Sequence, residues 1–207
     1  GTSDPGAGSY NIGRSLRLDG VDDYYSKTLG TPTSNLVWTF SCWVKRATLD
    51  SFSWDPLIST VGGNYVEIGF YQDKLTIIRG GVDTTYSTAV FRDVSSWYHV
   101  LVVSSGSAIY GFVNSSLHLT TAGTASNFNT STTHYIGYDT AVYFPGYMAE
   151  IHFLDNVAAT PGMFGYKNEI TGQWLPRAYT GTASSYGNNG FYLPFSDTTS
   201  TTTLGYD

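Results

Sequence analysis

Residues 144–155 read F-P-G-Y-M-A-E-I-H-F-L-D, and from Tyr147 onward the side chains fall into two alternating sets. Tyr147, Ala149, Ile151 and Phe153 lie on one side of an extended chain, and Met148, Glu150, His152 and Leu154 on the other. A period of two puts successive side chains on opposite faces of a sheet, so this segment predicts a strand of a half-buried antiparallel sheet. No amphipathic helix of useful length competes with it. The one helical candidate is a single turn over residues 160–165, T-P-G-M-F-G.

The same pattern recurs along the chain. Residues 15–19 alternate with Leu16 and Leu18 inward, and the D-G-V-D-D turn after them is expected to return the chain as a second strand over residues 24–29. Residues 38–46 set Trp38, Phe40, Cys42 and Val44 against Thr39, Ser41, Trp43 and Lys45. Residues 56–61, 65–71 and 75–79 follow, with Gly62-Gly63 and the 72–74 segment as hairpin connections. W-Y-H-V-L-V-V at 97–103 is almost continuously apolar, which predicts a central strand covered on both faces. Residues 108–113 return from it, and N-S-S at 114–116 leads into 117–119. Many short strands with turn signals between them, and no internal repeat, predict an all-β antiparallel sandwich or jelly roll in one domain over residues 14–197. Residues 1–13 are Gly- and Ser-rich and read as a flexible arm or linker, and residues 198–207 as a Thr-rich tail. The chain opens on Gly1, not Met, and is expected to be a processed or excised piece of something longer.

Composition narrows the function. Only 13% of the 207 residues are charged, while 16% are aromatic, with 17 Tyr, 11 Phe and 5 Trp. Hydroxyls and amides therefore supply most of the polar surface, a balance expected of extracellular and virion β-proteins. The net charge is −6 and no basic run occurs, which argues against a nucleic-acid partner. No apolar run is long enough to insert a helix into a membrane. The single cysteine, Cys42, shares a face with Trp38 and Phe40 and reads as a small buried hydrophobe.

Four segments carry a family resemblance. They are S-L-R-L-D-G-V-D-D-Y-Y at 15–25, W-T-F-S-C-W-V-K-R at 38–46, the pair W-Y-H-V-L-V-V and A-I-Y-G-F-V-N-S-S at 97–103 and 108–116, and the series running from G-Y-M-A-E-I-H-F-L-D-N-V-A-A-T-P-G-M-F-G at 146–165 through T-G-Q-W-L-P-R-A-Y-T-G at 171–181 to Y-G-N-N-G-F-Y-L-P-F-S-D at 186–197. Together they resemble a laminin-G-like, concanavalin A-like jelly roll, and the last series is similar to modules of bacteriophage tail fibres and other virion structural proteins. The chain departs from that pattern at Ser115, where relatives have Gly, so a wider loop is expected there. The resemblance implies a virion location, a host surface glycan as ligand, other virion proteins as partners, and a homo-oligomer, a trimer as in fibres. The alternative is a capsid or tail decoration protein docking through the 1–13 arm.

Catalysis finds little support in the spacing of acids. The three glutamates are Glu67, Glu150 and Glu169, and none has a second carboxylate two or four residues away. Paired carboxyls on one strand, as glycoside hydrolysis needs, are therefore not expected. The four histidines are isolated, do not suggest zinc, and are expected to be half-buried strand residues. Calcium is a candidate because jelly rolls of the resembled class often hold one. Asp19, Asp22, Asp23 and Asp155 are the oxygen donors in reach, although Asp19 to Asp23 also reads as an Asx-type turn. Sugars stack C–H faces on aromatic rings and pair hydroxyls with amides and carboxylates. Trp54, Asp55, Asn64, Tyr65, Tyr86, Tyr138, Asp139 and Tyr143 are the candidate glycan ligands, although residues of this kind are more often core or rim than ligand.

Overall fold

The computed structural model describes residues 10–49, 53–62, 64–197 and 199, so residues 1–9 of the arm and all of the tail except residue 199 lie outside the described residues. Two antiparallel sheets face each other. The first contains β1 (Leu16–Asp19), β3 (Val37–Arg46), β8 (Tyr98–Ser105), β9 (Ala108–Val113), β10 (Ser116–Ala122) and β12 (Pro145–Asp155), in the order β1-β12-β3-β8-β9-β10. A further strand, β15 (Phe191–Leu193), pairs with the second half of β12. The other sheet contains β2 (Tyr25–Thr28), β4 (Trp54–Thr60), β5 (Val66–Tyr71), β6 (Lys74–Arg79), β7 (Asp83–Tyr86) and β11 (Thr133–Ile136), in the order β2-β11-β4-β5-β6-β7. Between them lies a core that includes Trp38, Phe40, Cys42 and Val44 of β3, Ile68 and Phe70 of β5, and Met148, Ile151 and Phe153 of β12. Burial pushes the Cys42 thiol far above its usual range, consistent with its reading as a hydrophobe. As expected, β8 is central and buried along nearly all its length.

The alternation in β12 is interrupted. Met148 and Ile151, an odd number of residues apart, both face the core, because the β3–β12 register slips between Ala149 and His152. Glu150 takes up the extra residue with φ +49, a left-handed conformation uncommon for a non-glycine. The two-sided assignment made from sequence therefore holds only beyond the bulge. Before it, Tyr147 and Ala149 belong with the outer face.

Three other expectations are corrected. The D-G-V-D-D segment does not close a hairpin: β1 lies in the first sheet and β2 in the second, so it is the crossing between layers. Asn114 and Ser115 form a tight two-residue connection between β9 and β10 with φ +48 and +69, not a wider loop. His99, His134 and His152 are buried outright; only His118 is half-buried. Desolvation holds His99 and His152 in their neutral form, lowering each to about 3.

The outer face of the first sheet is also covered. Residues 156–186 fold over it, with a 3-10 turn at Pro161–Met163 and a small two-stranded sheet of β13 (Gly165–Lys167) and β14 (Trp174–Pro176). Phe164 and Ala159 pack on Leu101, Val103 and Leu154 to make a second, smaller core. The outer face of the second sheet meets the 138–143 loop instead, through the Ser59 hydroxyl and the Tyr138 carbonyl, and this difference positions the candidate site.

Candidate functional site

On β5, Val66, Ile68 and Phe70 point into the core, so Glu67 and Tyr71 point away from it. Cross-strand pairing continues this outward row: Tyr135 of β11 pairs with Ser59 of β4, and Ser59 pairs with Glu67. The Ser59 hydroxyl donates to the Tyr138 carbonyl at 2.7 Å, which brings the 138–143 loop over the row. Tyr138 and Tyr143 close that loop as an isolated bridge, and Asp139 caps it by accepting the Ala141 and Val142 amides.

The rings gather there. Tyr138 lies 4.7 Å from Tyr143, 5.4 Å from Tyr135 and 4.9 Å from Tyr24, the last pair stacked. Tyr24 is 45% exposed and Tyr135, Tyr138 and Tyr143 are half-buried, so the cluster presents ring faces to solvent. Burial, and then the adjacent rings of Tyr143 and Tyr24, push the Tyr138 phenol above its usual range.

Glu67 is the acid of this patch. It is only 8% exposed and accepts no hydrogen bond from the described residues. Its oxygens are not sealed, unlike the indole nitrogens of Trp38, Trp54 and Trp174. Burial first, and the Asp139 carboxylate second, push its carboxyl up to about 7. The fold thus brings Glu67 and Asp139 together from distant parts of the chain, a juxtaposition that acid spacing along the sequence does not reveal.

The eight candidate glycan ligands separate accordingly. Tyr138, Asp139 and Tyr143 come together in the patch. Tyr65 is half-buried, with its ring against Gly81, and Asn64 beside it is exposed. Trp54 pairs across strands with Tyr71, whose ring lies 6.3 Å from that of Tyr86; Tyr71 is roughly 13 Å along β5 from Glu67. Asp55 is not a surface ligand. It is buried in an ion pair with Arg46 at 2.8 Å, and Arg46 also meets Asp73 at 3.0 Å and the Phe91 carbonyl. Sequence reasoning missed Tyr24, Tyr135, Ser59 and Glu67. The alternation of V-E-I-G-F already put Glu67 on the polar face, but its neighbours come from other strands.

The metal candidates also divide. Carboxylate oxygens of Asp19, Asp22 and Asp23 lie within 4.8 Å of one another, all exposed. Asp19 accepts the Val21 and Asp22 amides, and Asp23 accepts that of Asp19, so the hydrogen bonds of the turn account for their arrangement. Asp155 cannot join them: Asp19 pairs with Pro145, ten residues and roughly 33 Å along β12 from Asp155. Its carboxylate instead accepts the Thr33, Ser34, Asn188 and Asn189 amides and the Asn129 side chain. Burial alone would raise it, but these donors hold it below the usual carboxylate range.

Two cavities open on the covered side of the first sheet. A groove of about 550 Å³ runs between Trp43, Trp97, Trp174 and residues 12–15, where the arm meets the domain. A chamber of about 310 Å³ is lined by Tyr10, Tyr179, Tyr186, Tyr192 and His152. Tyr10 and Tyr192 of this lining both donate to Glu150, and Tyr186 pairs with His152 at 2.8 Å. The Tyr10 bond to Glu150 fastens that end of the arm to the body.

A family model described as the concanavalin A-like lectin/glucanases superfamily matches residues 19–161. No curated protein matches the sequence. Among solved structures, the chain is similar to a heptameric SAP-like pentraxin from Limulus polyphemus, at 13% identity and TM-score 0.56 over 73% of this chain and 80% of that one. It is similar to a putative carbohydrate binding protein from Bacteroides ovatus, at 17% identity and TM-score 0.57 over 89% of this chain and 54% of that one. It is also similar to tailspike protein 2 of the Escherichia coli O157:H7 bacteriophage CAB120, at 10% identity and TM-score 0.53 over 74% of this chain and 24% of that one. At these identities the likeness is one of fold. The chain spans about half the length of the Bacteroides protein and about a quarter of the tailspike.

Proposed function

The chain belongs to the concanavalin A-like lectin/glucanases superfamily, and from that premise we propose that it is a non-catalytic glycan-binding module whose ligand lies on the tyrosine patch of the second sheet. The observation that carries this reading is the gathering of Tyr24, Tyr135, Tyr138 and Tyr143 beside Asp139 and an unpartnered Glu67. Ring faces take the C–H faces of a pyranose, and carboxylates accept its hydroxyls. The fold shared with a putative carbohydrate binding protein supports the ligand class.

The proposal extends to context: a module on the surface of a bacteriophage particle, serving host attachment. The likeness of the 146–197 series to phage modules and the fold shared with a phage tailspike support it. Several copies per particle, as in a homo-oligomeric fibre, multiply a weak single-site affinity.

A glycan array probed with the wild-type chain and with Tyr138→Ala tests the site. Binding to a defined glycan that falls at least tenfold in the variant is expected. Binding that survives it moves the site elsewhere, with the tryptophan groove as the next place to mutate. Reducing-sugar release from a bound polysaccharide, abolished by Glu67→Gln, would overturn the non-catalytic reading.

A further inference from the structure

Six carboxylates are buried among the described residues, and five of them are answered. Asp55 and Asp73 meet Arg46, Asp139 accepts two amides, Glu150 accepts two tyrosine hydroxyls, and Asp155 accepts five donors. Glu67 alone has no donor among them, and the charged group that acts on it is another acid, Asp139. A buried carboxylate left without a donor is costly, and a second negative charge beside it adds to the cost. Around the pair, Tyr24, Tyr138 and Tyr143 present ring faces, which attract cations, and Asp22 and Asp23 precede Tyr24 in the chain.

We propose that the ligand of this patch carries a positive charge: an amino sugar in its free-amine form, whose ring lies against the Tyr24–Tyr138 stack and whose ammonium donates to the Glu67 and Asp139 carboxylates. This rests on the glycan-binding reading above and narrows it. A neutral sugar hydroxyl answers a carboxylate with one hydrogen bond and leaves the two negative charges facing each other. An ammonium brings three donors and a charge, and such charge-assisted hydrogen bonds are the stronger kind. Because Glu67 titrates near neutrality, with Asp139 as the charged group acting on it, binding draws a proton off Glu67 and affinity rises with pH up to the point where the amine itself deprotonates.

The test is calorimetry on the full chain with two probes, a β-1,4-linked glucosamine tetrasaccharide and its fully N-acetylated counterpart. At pH 7 and low salt the free-amine probe is expected to bind at least tenfold more tightly. Glu67→Gln and Asp139→Asn should each bring the two affinities together, and Tyr138→Ala should weaken both. Melting curves that match the wild type certify that each variant is folded. Equal affinities for the two probes, both lost in Tyr138→Ala, overturn the charge preference and leave the glycan reading intact. Free-amine binding that persists in both Tyr138→Ala and Glu67→Gln reports general attraction to an acidic chain, and overturns the proposal and the patch together. No binding of the free-amine probe also overturns the proposal.

Discussion

Asp155 and Glu67 are both buried residues, at 1% and 8% exposed, and the chain treats them in opposite ways. Around Asp155 the 30–34, 129 and 188–189 segments converge and supply amides until the carboxylate is saturated. Asn189 then ties Gly30 to Asn129, so the cluster pins three loops at one end of the sandwich. Around Glu67 no donor arrives from the described residues, and the Asp139 carboxylate repels it. A saturated buried carboxylate organises structure; an unsaturated one holds a cost in the free protein that a ligand can relieve. Burial alone does not separate these roles. The tally of donors does.

Mutation of each acid should therefore move stability in opposite directions. Asp155→Ala strips the donors of three loops at once, and unfolding by urea should show a loss of about 3–5 kcal/mol. A loss under 1 kcal/mol would break the contrast.

Glu67→Gln should do the reverse above neutral pH, raising stability by on the order of 2 kcal/mol at pH 8, less than the full shift implies because water reaches its oxygens and screens them. The sign follows from a folded pKa of about 7 against an unfolded value near that of a free glutamate. Both states bind the proton in acid, so nothing is lost there. As pH rises the unfolded chain ionises first, and stability falls until the folded carboxyl has ionised too. Buried His99 and His152 act oppositely, since their folded values are depressed: the stability they contribute is present above about pH 6.5 and is lost as the solution is acidified. The difference between wild type and Glu67→Gln, measured from pH 4 to pH 8, isolates the Glu67 contribution from theirs. A flat difference would mean that Glu67 has a partner in solution.

Tyr138→Ala should cost about 1 kcal/mol or less, because the ring is half-buried and outside the core, while glycan binding falls at least tenfold. Ser115→Gly is a control remote from both acids. It removes a left-handed serine at φ +69 and should raise stability by about 0.5–1 kcal/mol without touching binding.

How far the sequence could be read differs between these regions. The faces of β3 and the burial of β8 followed from side-chain period, because each side of those strands meets a uniform environment. The faces of β12 did not, because Glu150 inserts a residue that no local pattern marks. Asp55 stood beside Trp54 like a surface ligand, yet Arg46 folds onto it from β3. In the patch, Tyr138, Asp139 and Tyr143 were legible since one loop carries all three. Glu67 needed β4 and β11 to bring the loop to it.

Local alternation, turn residues and the scarcity of charge were enough to determine a β-sandwich with aromatic, weakly charged surfaces, because these depend only on neighbours along the chain. Which buried acid received donors was decided by tertiary structure alone. Hydrogen bonds and Coulomb interactions act over a few ångströms in space, and the residues that answer Asp155, or fail to answer Glu67, lie up to more than a hundred positions away in the chain.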